Sequence, residues 1–320
     1  IALDLKVPEA IEAVLRLVEG ADALIEGFRP GVTERLGLGP EQCMARNPRL
    51  VYGRMTGWGQ SGPLSGAAGH DINYISLSGA LYHGGHRDSA PAAPPTLVGD
   101  IGGGAMFLAL GVVSAILSAR STGQGQIVDA AITDGSALMT ALMYTMMHNG
   151  RWNHRRQSNF LDGGAFWYDC YQCADGEWVS VGALEPQFYA ELIERCGLGD
   201  EGLQGAQFDF SRWPEMRQRF EQLFRTRTRD EWCALLEGTD VCFAPVLNLE
   251  EAAQHPHNRA RQTFIEVDGV TQPAPAPRFS ATPPELSEPP AEVGAHAAEL
   301  LRGAGFSEGE IDALESAGAL

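Results

Sequence analysis

Lysine is nearly missing from this chain: Lys6 is the only one in 320 residues, and arginine carries the rest of the positive charge. The scarcity fits base composition better than a chemical preference for guanidinium. With 23 basic against 41 acidic residues the net charge is −18. A balance this acidic argues against nucleic acid and against an anionic membrane surface as partners, because both need a basic face. Any polyanionic ligand must therefore be gripped locally. Cysteine is also sparse. Six over this length form no disulfide framework, which suits a reducing, cytoplasmic setting. Cys170 and Cys173 make a lone C-x-x-C without a second pair at zinc-ribbon spacing, so neither a metal nor a redox role is expected. Nothing at the start of the chain reads as a secretory or transit leader.

What is present is an ordinary globular composition, 44% apolar and 20% charged, long enough for one large domain or a large and a small one. Apolar residues at helical spacing over residues 8–19, then Ala23-Leu24-Ile25, Leu50-Val51-Tyr52 and residues 126–131 as strands, predict alternating α/β with a mostly parallel sheet. Helices are expected at 71–81 and 133–149. Residues 101–119 are uncharged and of transmembrane length, but the run is rich in glycine and alanine and closed by Asp100 and Arg120. A buried helix packed on the sheet is the better expectation. Residues 166–173 and 177–182 flank Asp175-Gly176, a hairpin signal that opens a smaller α+β unit. The expected divisions are 1–150 for a large α/β domain, 151–265 for linker and small domain, and 266–320 for a proline-rich extended segment and C-terminal helices that return to the large domain. Ser307 and Glu310 form a capping box in that tail.

Chemistry could gather in two places. Arg29 in Gly27-Phe28-Arg29-Pro30-Gly31, Arg35, and Arg54 lie at or after strand ends, where open α/β sheets bind ligands. Arginine supplies bidentate charge for a phosphate, yet spacing alone leaves plain surface arginines equally open. His70, in Gly69-His70-Asp71-Ile72-Asn73-Tyr74, stands at the start of a helix, and Asp100 lies between Gly99 and Ile101. The pair could be proton carriers or merely structural hydrogen-bond partners. Burial would favour the protonated form of Asp100, and a helix N-terminus would oppose it.

Four motifs in order turn this into a resemblance: Gly69 to Tyr74, Leu97-Val98-Gly99-Asp100, Asn159-Phe160-Leu161-Asp162-Gly163-Gly164-Ala165, and Gly182-Ala183-Leu184-Glu185-Pro186-Gln187-Phe188-Tyr189. With Leu3-Asp4-Leu5-Lys6 near the start and Ala276-Pro277-Arg278-Phe279-Ser280 near the end, the chain resembles the alpha-methylacyl-CoA racemases of the family III CoA-transferase (CaiB/BaiF) superfamily. That resemblance implies a Rossmann-like large domain, a smaller α+β domain and an interlocked homodimer with its active site between the large domain of one chain and the small domain of the other. It implies His70 and Asp100 as the two acid/base groups, with Glu185 supporting the histidine. It implies coenzyme A contacts from Leu3, Asp4, Leu5 and Lys6 around the adenosine and from Gly27, Phe28, Arg29 and Arg35 near the phosphates. Gly69, Asp71, Ile72, Asn73 and Tyr74 complete that set. Coenzyme A is then part of an acyl-CoA substrate, with no separate cofactor. In the family some tens of residues ordinarily precede the Leu3 motif, and the large domain is expected to draw on them.

Inverting a carbon beside a thioester means taking a proton from one face and returning one to the other, so two acid/base groups must flank it. A neutral imidazole and a protonated carboxylic acid meet this requirement if the Asp100 pKa is raised. The enolate oxygen needs donors, for which the Asp71 N–H is the natural candidate. Met139, Met143, Met146 and Met147 could offer an adaptable apolar wall, although core packing explains them more simply. The competing reading is a family III CoA-transferase in which Asp134 is the nucleophile.

Overall fold

The computed structural model describes residues 1–199, 203–286 and 290–320. They divide into two compact units: Ile1–Trp152 together with Glu292–Leu320, and Asn153–Ala291.

The first unit begins with α1 (Pro8–Glu19), started by a proline whose missing N–H costs nothing at that position. Then follow β1 (Ala23–Glu26), α2 (Val32–Leu36), α3 (Pro40–Arg46) and β2 (Val51–Thr56). After a long loop come α4 (Asp71–Leu77), a π-helical stretch (Leu97–Ala105), α5 (Met106–Thr122), β3 (Ile127–Ala131), α6 (Ile132–Met139) and α7 (Ala141–His148). The strands form one parallel sheet in the order β1-β2-β3, with Ala23 opposite Val51 and Gly53 opposite Val128. Central β2 buries Val51 to Arg54, as a strand covered on both faces should.

Two expectations for this unit need correction. The apolar run is not a uniformly buried α-helix. Its first five residues end a nine-residue π-helical stretch, Leu97–Ala105, and α5 then buries Leu108, Val112, Ala115 and Ala119 while Met106, Leu110, Val113 and Leu117 are 62–69% exposed. A helix apolar on every side carries no signal for which side its neighbours will cover. Leu97–Thr122 is long and apolar enough to cross a membrane by length and composition, yet its inner face packs on β2 and β3. The helix expected over 133–149 breaks at Thr140, whose hydroxyl donates to the Ala137 carbonyl at 2.7 Å and competes with the helical ladder.

The second unit holds an antiparallel sheet of β4 (Tyr168–Gln172), β5 (Trp178–Gly182) and β6 (Phe243–Val246). Its first turn is Asp175-Gly176, with Gly176 at φ 87°, a conformation that favours glycine. Helices α8 (Pro186–Arg195), α9 (Trp213–Phe224), α10 (Arg229–Leu236), α11 (Leu249–Gln254) and α12 (Pro256–Ala260) follow or interleave, then a hairpin of β7 (Phe264–Val267) and β8 (Val270–Pro273). This unit continues past residue 265 to Ala291, because the hairpin and the proline-rich stretch cluster with it. One core fills it, centred on Phe166, Trp167, Tyr171, Phe220, Phe224 and Trp232, with Phe166 and Phe220 edge to face at 5.0 Å.

The chain ends in α13 (Ala297–Gly303) and α14 (Glu308–Ser316). Ser307 and Glu310 form the expected capping box, and the two helices bury Leu301, Phe306, Ile311 and Leu314 against Ala10 and Ala13 of α1.

Candidate active site

His70 caps α4 with extended backbone (φ −136°, ψ 174°), and its N–H donates to Asn73 Oδ1 at 3.1 Å. One residue on, Asp71 Oδ1 accepts from the backbone N–H groups of Gly99 (2.8 Å) and Asp100 (2.9 Å). The start of α4 is thereby fastened to the π-helical stretch that carries Asp100. Glycine at 99 makes this approach possible, since a Cβ there would collide with Asp71 Oδ1 and crowd Ile75. Nearby glycines play the same part toward α6: a Cβ on Gly103 would run into Ser136, and one on Gly104 into Met55 and Ile132. π-Helical geometry is uncommon and concentrates at functional sites.

Asp100 is half-buried, and loss of solvent pushes its pKa up. The charge of Asp71 pushes it further the same way, and His70, when it carries a proton, pulls it back. The two expected proton carriers are thus electrostatic neighbours within one unit. Tyr74 belongs to the same group. Its hydroxyl donates to the Gly69 carbonyl, and its ring meets Trp58 edge to face at 4.7 Å. Burial first, and then the charge of Asp100, raise the Tyr74 pKa, while the charge of Arg29 lowers it.

Arg29, in the loop after β1, and Arg35, on α2, are both exposed. Arg54 is not available to an anion. Its side chain is 8% exposed and pairs with the buried Glu26 at 2.8 Å and with Glu34 at 2.8 Å. Glu26 in turn accepts from the Phe28 N–H at 2.7 Å. The Arg54 network therefore shapes the loop of Gly27, Phe28 and Arg29 from beneath. In the opening segment Leu3 and Leu5 pack against hydrophobic clusters, which leaves the side chains of Asp4 and Lys6 exposed; Asp4 N–H donates to the Ala319 carbonyl at 2.9 Å. Ile72 and Asn73 are exposed on α4.

Glu185 lies in the second unit as the exposed N-cap residue of α8, where its carbonyl accepts from the Tyr189 N–H at 3.0 Å. Asp134 is exposed in the first turn of α6. Met139 is 42% exposed, and Met143, Met146 and Met147 are half-buried on α7, which buries no residue fully, so core packing does not explain the group. All six cysteines are free, and burial pushes the thiols of Cys173 and Cys233 up to about 11, away from thiolate reactivity. Among the described residues no group of three acidic, histidine or cysteine side chains could hold a metal ion. One motif escaped the reading of the sequence. Gly57-Trp58-Gly59-Gln60-Ser61-Gly62 follows β2 with the spacing of a dinucleotide fingerprint, but no helix opens there and Tyr74 packs directly on Gly57.

The model of CoA-transferase family III matches residues 1–297. The chain belongs to CoA-transferase family III. Among members of this family, alpha-methylacyl-CoA racemase from Mus musculus is 44% identical over 99% of the chain and 83% of its own length. The protein of the same name from Homo sapiens is 42% identical, again over 99% and 83%. A CAIB/BAIF family protein from Brucella suis shares the fold, with a TM-score of 0.81 over 95% of this chain and 81% of that one, at 24% identity. The family III fold is accordingly that of the mixed α/β structure described above.

Proposed function

We propose that this protein is a racemase that interconverts the two configurations of 2-methylacyl-CoA thioesters by two-base proton transfer. The observation that carries the reading is the pairing of His70 with an Asp100 carboxyl held toward its neutral form. A 1,1-proton transfer needs one carrier empty and one loaded at the same pH, and the upward push on Asp100 favours its loaded form. The likeness to two alpha-methylacyl-CoA racemases supports the same choice.

In one direction His70 takes the α-proton and Asp100 delivers its own to the opposite face; in the other the roles exchange. Between the two transfers the thioester carries an enolate, and the Asp71 N–H at the start of α4 is the proposed donor to its oxygen. Arg29 and Arg35 would meet the phosphates of coenzyme A, with Gly27, Phe28, Gly69, Ile72, Asn73 and Tyr74 lining its path and Leu3 to Lys6 near the adenosine. Glu185 would steady the histidine. Coenzyme A is part of the substrate, so no further cofactor is needed. A cytoplasmic homodimer completes the proposal, and the exposed stripe of Met106, Leu110, Val113 and Leu117 on α5 supports it as an apolar face of the kind interfaces cover.

The test is incubation of one enantiomer of a 2-methylacyl-CoA in deuterated water. Inversion with deuterium at the α-carbon is expected, lost in His70→Ala and Asp100→Ala. A trapped aspartyl-CoA thioester on Asp134 would overturn the reading in favour of acyl transfer.

A further inference from the structure

Asp71 joins the two elements that carry the proton carriers, and nothing in the two-base scheme uses its carboxylate. It follows His70 directly on α4, and a single oxygen receives two backbone N–H groups, 2.8 and 2.9 Å away, from Gly99 and Asp100. The absence of a side chain at 99 is what admits that oxygen. We infer that Asp71 is a positioning residue for proton transfer: its carboxylate sets the spacing between the imidazole on one element and the carboxyl on the other. This inference rests on the racemase reading and deepens it.

Two physical effects follow from the one contact. The hydrogen bonds hold the backbone of Asp100 itself, so losing them frees the residue that must stand opposite His70 across a single carbon, where misplacement by about 1 Å can cost roughly 100-fold in rate. The charge of Asp71 also favours the protonated form of Asp100, beside the larger contribution of burial. Other titratable groups on the packed elements have partners of their own or are exposed. Tyr74 on α4 donates to Gly69, Arg54 on β2 pairs with Glu26 and Glu34, Asp129 on β3 accepts from the Gln60 N–H at 3.3 Å, and Asp134 on α6 is exposed. His70, when protonated, acts on Asp100 with the opposite sign, and Arg29 in the loop after β1 acts on the adjoining Tyr74.

The two effects separate in two variants. Asp71→Asn keeps an oxygen for both N–H groups and removes the charge; Asp71→Ala removes both. With the full chain, kcat and KM for one enantiomer of a 2-methylacyl-CoA are measured against pH, and the protonation of Asp100 is followed by the carbon shift of its labelled carboxyl, which does not need turnover. Asp71→Asn should release the Asp100 proton at lower pH than the unaltered protein and shift the matching limb of the kcat profile the same way, with KM unchanged. Asp71→Ala should lower kcat roughly 100-fold or more at every pH. If Asp71→Ala does not fold, the Asp71→Asn titration decides alone. An Asp100 carboxyl that titrates identically in the unaltered protein and Asp71→Asn overturns the inference, as does an undiminished kcat in a folded Asp71→Ala. A downward shift of the carboxyl titration in a protein that shows no racemisation would uphold the tie between Asp71 and Asp100 and instead remove the racemase reading.

Discussion

The two units hold themselves together by different means. The second has one continuous core in which Phe166, Tyr171, Phe220 and Phe224 are essentially without solvent contact. The first divides its apolar residues among smaller clusters around α1, β2 and α5 and leaves a stripe of α5 exposed. What fixes its chemical elements is hydrogen bonding and ion pairing: Asp71 to Gly99 and Asp100, Arg54 to Glu26 and Glu34. Packing is forgiving of direction, whereas a carboxylate bridging two backbone N–H groups specifies it. Proton carriers that must face one carbon are better served by the second kind of restraint.

If that contrast holds, large-to-small changes should damage the second unit most. Phe220→Ala removes the ring at the centre of the aromatic cluster and should cost about 3–5 kcal/mol in denaturant unfolding. Nearly as damaging in the first unit would be a broken ion pair. Arg54→Met strands Glu26 in the interior at a cost of about 3–5 kcal/mol, and adding Glu26→Gln should recover part of it. The exposed pair of Arg46 with Glu12 offers the control, since Arg46→Met should leave the unfolding midpoint where it was. A recovery that fails to appear in the double variant would mean the Arg54 network stabilises by packing after all.

Smaller effects sharpen the comparison further. Leu110→Glu places a charge in the exposed stripe of α5 and should halve the mass seen by sedimentation if that face joins two copies, with the fold intact by circular dichroism. Asp100→Asn should abolish inversion and slightly raise the melting temperature near neutral pH. The sign follows from linkage: the folded protein holds the Asp100 proton to higher pH than the unfolded chain, so stability falls as pH rises through that interval. The gain in Asp100→Asn should therefore vanish below the ordinary carboxylate range, which melting curves across pH would detect.

Much of this was legible in the residues. Strands β1, β2 and β3 were marked by short apolar runs, the β4–β5 turn by Asp175-Gly176, and the C-terminal cap by Ser307 and Glu310, because each rests on a local rule. His70 and Asp100 could be picked out, but only their surroundings show how the two differ. Other features depend on tertiary partners. Arg54 looked like an anion ligand until its two glutamates were seen, and Glu26 and Glu34 lie 28 and 20 residues away in sequence. The π-helical stretch has no periodic signature of its own. The glycine at 99 was visible as a letter, yet the reason for it is a carboxylate 28 residues earlier.

The most direct test of paired proton carriers uses the half-disabled protein. In Asp100→Asn, each enantiomer of a 2-methylacyl-CoA is incubated separately in deuterated water and its α-carbon examined without waiting for inversion. Two opposed carriers predict that His70 still exchanges the α-proton of one enantiomer and leaves the other untouched, with the opposite preference in His70→Asn. Equal exchange of both enantiomers in either variant, or inversion that survives in both, would contradict the account.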